Sequence, residues 1–188
     1  DRLPSNIAQI MCADADIWFQ KPIDKVFLLT QNTYGFVEEA EAADSGFTRD
    51  SAIKIKDSAL LAEILGKVRG QKMINSGLIV GDRERVKKII KKVARITRNT
   101  GKDFFGLDQA IFNYVVRADA KGVSLDEGYN YSLYTHKNKF FVKGKLIEDW
   151  NGRLISIVHN SGQNDRFFPN GRQDIKDIEK VPQKLPGT

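Results

Sequence analysis

The chain has 188 residues, 41% hydrophobic and 29% charged, with a formal net charge of +6. This is the balance of a globular domain with a real core. No apolar run approaches the roughly 18 to 20 residues needed to span a bilayer, and no signal-peptide pattern opens the chain. The single cysteine, Cys12, excludes an internal disulfide and fits a reducing, cytoplasmic compartment.

In chain order, Ile7 to Cys12 reads as a buried strand, with Cys12 as a small hydrophobe inside it. Asp14-Ala15-Asp16 follows, then Ile17-Trp18-Phe19-Gln20-Lys21-Pro22. Ile23 to Leu29 reads as a short helix or turn after Pro22. Thr33 to Val37 reads as a strand, and residues 46–50 as a loop. A helix runs from Asp57 or Ser58, either of which can cap it, to about Lys67. Met73 to Gly81 is a strand interrupted by Asn75-Ser76-Gly77, a pattern that marks a bulge or a close backbone approach to a ligand. From Arg83 to Arg98, Val86, Ile89, Ile90 and Val93 recur at helical spacing, and the opposite face is packed with lysine and arginine. That face is either simply solvated or a surface for anionic lipid. Leu107 to Val116 reads as a helix with Asp108 as a possible cap, Gly122 to Leu125 as a short strand, and Tyr129 to Tyr134 as an aromatic loop or strand. Leu154 to His159 is a late strand ending in His159-Asn160-Ser161-Gly162. Residues 171–188 form a polar tail.

The stretch with the clearest chemistry is Asp14-x-Asp16. Two residues apart on a strand, the carboxylates would lie roughly 6 to 7 Å from each other on one side. At that distance they repel by about 2 to 3 kcal/mol at an effective dielectric near 20, so a half-buried pair calls for a proton or a cation. Mg²⁺ or Mn²⁺ held by one or two carboxylates completes its shell with water and substrate phosphates, which points to a phosphate or diphosphate ester. The same pattern also serves as a turn or a helix cap.

Four features stand in order: Asp14-x-Asp16 at a strand end, Asn75-Ser76-Gly77 in an interrupted strand, Asp108-Gln109 opening a helix, and His159-x-x-Gly162 at a late strand end. Together they resemble the metal-dependent GT-A glycosyltransferases, particularly glycosyltransferase family 8 and the related nucleotide-diphospho-sugar transferases. The resemblance runs from about Ile7 to Gly162. It implies an α/β fold, a mixed sheet flanked by helices, over residues 1–170. It implies a hexosyltransferase that moves a sugar from a nucleotide-diphosphate sugar donor to a saccharide, glycolipid or protein acceptor, with retention if family 8 is the closer match and otherwise with inversion and Asp108 as base. Asp14, Asp16 and His159 would hold Mn²⁺ or Mg²⁺; Asn75, Ser76, Gly77 and Gly162 would meet the donor; Asp108 and Gln109 would line the reaction centre.

Two departures qualify the resemblance. Family 8 usually follows the His-x-x-Gly element with a lysine to the diphosphate, whereas here Arg166 is the nearby cation. The family also places nucleotide-binding strands ahead of the Asp-x-Asp strand, and 13 residues precede Asp14 here. The expectation is therefore an N-terminally truncated chain that binds nucleotide poorly without an upstream segment. The alternative reading is a noncatalytic carbohydrate- or nucleotide-binding module on the same scaffold. The Arg83 to Arg98 helix is the expected place for peripheral membrane contact; a nucleic-acid role for that face alone is the least favoured reading.

Overall fold

The structure is a computed structural model, and it describes residues 3–44, 46–100, 106–136, 139–143 and 146–160. The chain divides into two compact units, Asp1–Cys12 with Asp24–Leu125, and Ala13–Ile23 with Asp126–Thr188.

The chain begins with strand β1 (Gln9–Ala13), strand β2 (Ile17–Phe19), helix α1 (Asp24–Leu29) and strand β3 (Tyr34–Ala42). Helices α2 (Gly46–Ala52) and α3 (Ser58–Val68) lead to strand β4 (Lys72–Asp82). Helices α4 (Arg83–Asn99) and α5 (Leu107–Asp119) and strand β5 (Val123–Leu125) complete the first unit. A 3-10 turn over Glu127–Tyr129 then precedes strands β6 (Tyr131–Ser132), β7 (Phe140–Lys143), β8 (Leu146–Asp149) and β9 (Ile157–His159).

The first unit is built on a four-stranded mixed sheet in the order β1-β4-β3-β5, with β3 antiparallel to β4 and parallel to β5. Its core sets Tyr34, Phe36, Ile74 and Ile79 of the sheet against Ile64 of α3, Val86 and Ile89 of α4, and Leu107, Ile111 and Val115 of α5. Helix α5 is apolar on nearly every side, from Leu107 to Val116, because it is packed by its neighbours all round. By contrast α4 buries Val86 and Ile89 of the predicted apolar stripe and turns its basic face outward, with Ile90 of that stripe left exposed. Asp57 caps α3, its carboxylate accepting from the backbone N–H groups of Ala59 and Leu60 at 3.0 Å each.

Four expectations are corrected here. Cys12 is exposed: β1, the end strand of its sheet among the described residues, has no fully buried position. Local desolvation still raises its thiol pKa, so it is a poor thiolate. Residues 46–50 are helical within α2, where buried Thr48, Ser51 and Ala52 tie the segment down and packing overrides a loop-like composition. Strand β4 is continuous through Asn75-Ser76-Gly77, and the irregularity lies in its pairing: Gly35 faces Val80 and Val37 faces Asn75, so two steps along β3 match five along β4. Finally, the N-cap of α5 is Gly106 at φ 84°, and Asp108 makes no cap bond; it lies exposed in the first turn, where its charge complements the helix dipole.

The second unit joins β2, β9 and β6 into one sheet, with β2 antiparallel and β6 parallel to β9, and adds the β7–β8 hairpin. Tyr131, Leu133, Val142, Ile147, Ile155 and Val158 form its core, with Trp18 and Phe140 packed alongside. Gln20, just past β2, fastens this unit: its amide donates to the carbonyls of Ile147 and Ile155 at 2.9 and 3.0 Å and accepts from the Ile147 N–H at 2.7 Å. No helix among the described residues is long and apolar enough to cross a membrane.

Candidate metal centre and a polar cluster on β4

Asp14 and Asp16 lie in the turn between β1 and β2, rather than on a strand as the apolar flanks suggest. The pairing of β2 with β9 decides what they face. Its register sets Ile17 opposite His159, so His159 lies across from the residue that follows Asp16, and the Asn160 N–H donates to the Asp16 carbonyl at 3.0 Å. His159 Nε2 lies 3.2 Å from Asp16 Oδ1 and 3.6 Å from Asp14 Oδ2. One ligating atom from each of the three residues fits within a span of 4.8 Å. The imidazole side chain is 4% exposed, against 39% for Asp16 and 57% for Asp14, so a buried nitrogen lies beneath two carboxylates that reach solvent.

The other face of the ring is also fixed. Strand β6 runs beside β9 with Ser132 paired to His159, and this places Asn130 at the ring's far edge, where Asn130 Oδ1 is 2.9 Å from His159 Nδ1. An amide oxygen only accepts, so Nδ1 carries a hydrogen and Nε2 is the nitrogen turned toward the two carboxylates. The hydrogen bond from His159 lowers the Asp16 pKa, with the imidazole charge adding to that and burial opposing it.

Two carboxylates and an imidazole nitrogen form a mixed oxygen and nitrogen donor set suited to Mn²⁺, and also compatible with Mg²⁺ completed by other oxygens. The tie from Asn130 is the outer hydrogen bond that metal-binding histidines make. Next in the chain, Asn160 Oδ1 is buried with no hydrogen-bond partner among the described residues. These residues therefore fit a hard divalent cation.

Within the first unit, Asn75, Ser76 and Gly77 lie where the β3–β4 pairing slips. The Asn75 amide donates to the buried Glu39 carboxylate and its oxygen accepts from the Gly77 N–H at 2.8 Å, so this side chain shapes the bulge itself. Ser76 Oγ donates to Gln109 Oε1 at 3.1 Å, and Gln109 Nε2 lies 3.1 Å from Met73 Sδ. One turn along α5, fully buried Asn113 accepts from the Ile74 N–H at 2.7 Å and donates to the Ile74 carbonyl at 2.8 Å, as a neighbouring strand would. Its amide also donates to the Gln109 carbonyl at 2.9 Å. Asp108 is exposed and stands outside this network, while Gly162 and Arg166 lie outside the described residues.

Sequence reasoning passed over Asn130, Asn113 and Glu39. Asn113 had a signal, a lone amide inside Ala110-Ile111-Phe112-Asn113-Tyr114-Val115-Val116, where an unpaired polar group would be costly. Asn130 and Glu39 had none, since their partners are distant in sequence.

No model of a known protein family matches the chain, and no curated protein does. Solved structures do. A galactosyltransferase LgtC in complex with donor and acceptor sugar analogs matches at a TM-score of 0.52 and 11% identity, over 97% of this chain and 64% of that one. An active-site variant of LgtC with glutamine replaced by glutamate matches at 0.54 and 10% identity, over 95% of this chain and 62% of that one. The fold is the GT-A glycosyltransferase fold. The chain thus spans somewhat less than two thirds of the length of the structures it resembles.

Proposed function

We infer that this chain carries the metal-binding part of a glycosyltransferase that takes its sugar from a nucleotide-diphosphate sugar and delivers it to a saccharide, glycolipid or protein acceptor. The observation that supports this most is the arrangement of Asp14, Asp16 and His159, an Asp-x-Asp carboxylate pair and a histidine far from it in sequence whose ligating atoms lie within 4.8 Å. A divalent ion held there would supply Lewis-acid stabilisation to the charge that develops on a leaving nucleoside diphosphate. The protein's own part is orientation: Asn130 holds the His159 ring, and the β2–β9 register holds Asp16 against it.

Asn75, Ser76 and Gly77 are proposed as donor-sugar contacts, with Asn75 shaping the backbone rather than offering a free amide. Gln109 is proposed as the polar neighbour of the reacting carbon. One of the LgtC structures carries a glutamine-to-glutamate change in that protein's active site, which supports a glutamine in such a role. Asp108, exposed at the start of α5, is the proposed base if transfer inverts; retention needs no such base.

The test is calorimetric titration of UDP and GDP into the protein with and without Mn²⁺, repeated on Asp14→Ala/Asp16→Ala. Binding that needs Mn²⁺ and vanishes in the double variant is the expected result. Nucleotide binding indifferent to both metal and mutation would overturn the metal site, and saccharide binding without turnover would favour a noncatalytic module.

A further inference from the structure

Helix α4 holds more positive charge than the entire chain. Its 17 residues contain eight lysines and arginines and one acid, Glu84, for a net +7, while the whole protein carries +6. Everything else together is therefore net −1, and the basic character of the protein belongs to a single helix. Its apolar stripe is mostly used, with Val86 and Ile89 in the core and Val93 and Ile96 packed against it, while Ile90 is 38% exposed. Lys87 engages Glu84 at 3.1 Å. Lys88, Lys91, Arg95 and Arg98, spaced by three and four, all lie exposed along the outer edge. Lys88, Lys91 and Arg95 also line, with Lys87, Lys92 and Glu84, an open depression of about 390 Å³.

We propose that the outer edge of α4 docks the protein onto an anionic phospholipid surface. A straight helix of 17 residues is about 25 Å long, so a flat charged plane meets all four outer cations at once. Single-stranded nucleic-acid sites pair a cationic groove with aromatic platforms for the bases, whereas α4 has no aromatic residue. Most of the apolar side of the helix is committed to the core and a single exposed isoleucine, Ile90, is too little apolar surface to insert, so the contact is electrostatic adsorption at the headgroups and not insertion among acyl chains. This inference is independent of sugar transfer and is read out as partition, not turnover.

The experiment is flotation of the whole chain with vesicles of phosphatidylcholine containing about one third phosphatidylglycerol, against phosphatidylcholine alone. Lys88→Gln/Lys91→Gln/Arg95→Gln/Arg98→Gln keeps good helix formers and removes four charges from the stripe. Lys25→Gln/Lys56→Gln/Lys67→Gln/Arg69→Gln removes four exposed charges elsewhere. The expected result is binding to the anionic vesicles only, a loss of about tenfold or more in the stripe variant with native circular dichroism, and a much smaller loss in the control variant. Raising salt from about 0.1 to 0.5 M abolishes the binding, because the screening length shrinks to a few ångströms. Equal losses in both variants, equal binding to neutral vesicles, or tighter binding to nucleic acid than to anionic vesicles would each overturn the proposal.

Discussion

Asn130 and His159 meet at 2.9 Å through Oδ1 and Nδ1, a contact that settles which nitrogen of a buried imidazole faces Asp14 and Asp16. Because Asn130 is bonded to the ring and is not one of the three candidate ligands, it separates ligand orientation from ligand identity. Asn130→Ala is expected to weaken Mn²⁺ binding about 10- to 100-fold, the usual effect of losing such an outer hydrogen bond. Titration of free Mn²⁺ by electron paramagnetic resonance measures this directly. Unchanged Mn²⁺ affinity would mean that the ring needs no such support.

Asn113 should matter to stability as much as any apolar core residue. It is 0% exposed and satisfies both the N–H and the carbonyl of Ile74. Asn113→Leu keeps much of the volume but leaves both backbone groups buried without partners. Each such loss costs about 1 to 3 kcal/mol, so a destabilisation of about 2 to 4 kcal/mol is expected in urea unfolding. A cost below about 0.5 kcal/mol would show that β4 finds other partners for Ile74.

These two asparagines mark the limit of what the sequence shows. Periodicity exposes α4, because Val86, Ile89 and Val93 fall at one spacing and the cations at another. Local chemistry exposes the cap at Asp57. The strand ending in His159 and the Asp-x-Asp turn are each visible alone. What joins them is the pairing of Ile17 with His159, which spans most of the chain and leaves no local trace. For the same reason α2 is hidden: Thr48, Ser51 and Ala52 form a helix because they are buried, not because of strong local propensity.

Gln109 offers a kinetic test of the role proposed for it. It is only partly buried, and its side chain is held by Ser76 Oγ at 3.1 Å, so its removal should spare the fold. Gln109→Ala is expected to lower kcat by about 10²-fold or more while KM for the donor changes only a few-fold, the pattern of an interaction made mainly in the transition state. If kcat holds and KM rises instead, Gln109 is a binding residue.

The final prediction concerns acid stability. Asp149, 4% exposed at the end of β8, is penalised by burial when charged. Against that, its carboxylate accepts from the backbone N–H groups of Asn151 and Arg153 and from Arg153 Nε, all at 2.9 Å. These bonds prevail, and the pKa is held below the ordinary value of 3.8. A carboxylate whose folded pKa is depressed stabilises the folded state fully above its unfolded pKa. The contribution is lost as pH falls through the folded value. Unfolding by urea should therefore show stability dropping as the pH goes below about 4, with Asp149 among its sources. Asp149→Asn should cost about 2 to 3 kcal/mol at neutral pH, by replacing charge-assisted bonds with neutral ones, and should cost progressively less as the pH falls. A penalty that stays constant from neutral pH to the acid end would mean that the charge of Asp149 contributes nothing, and that shape alone explains its burial.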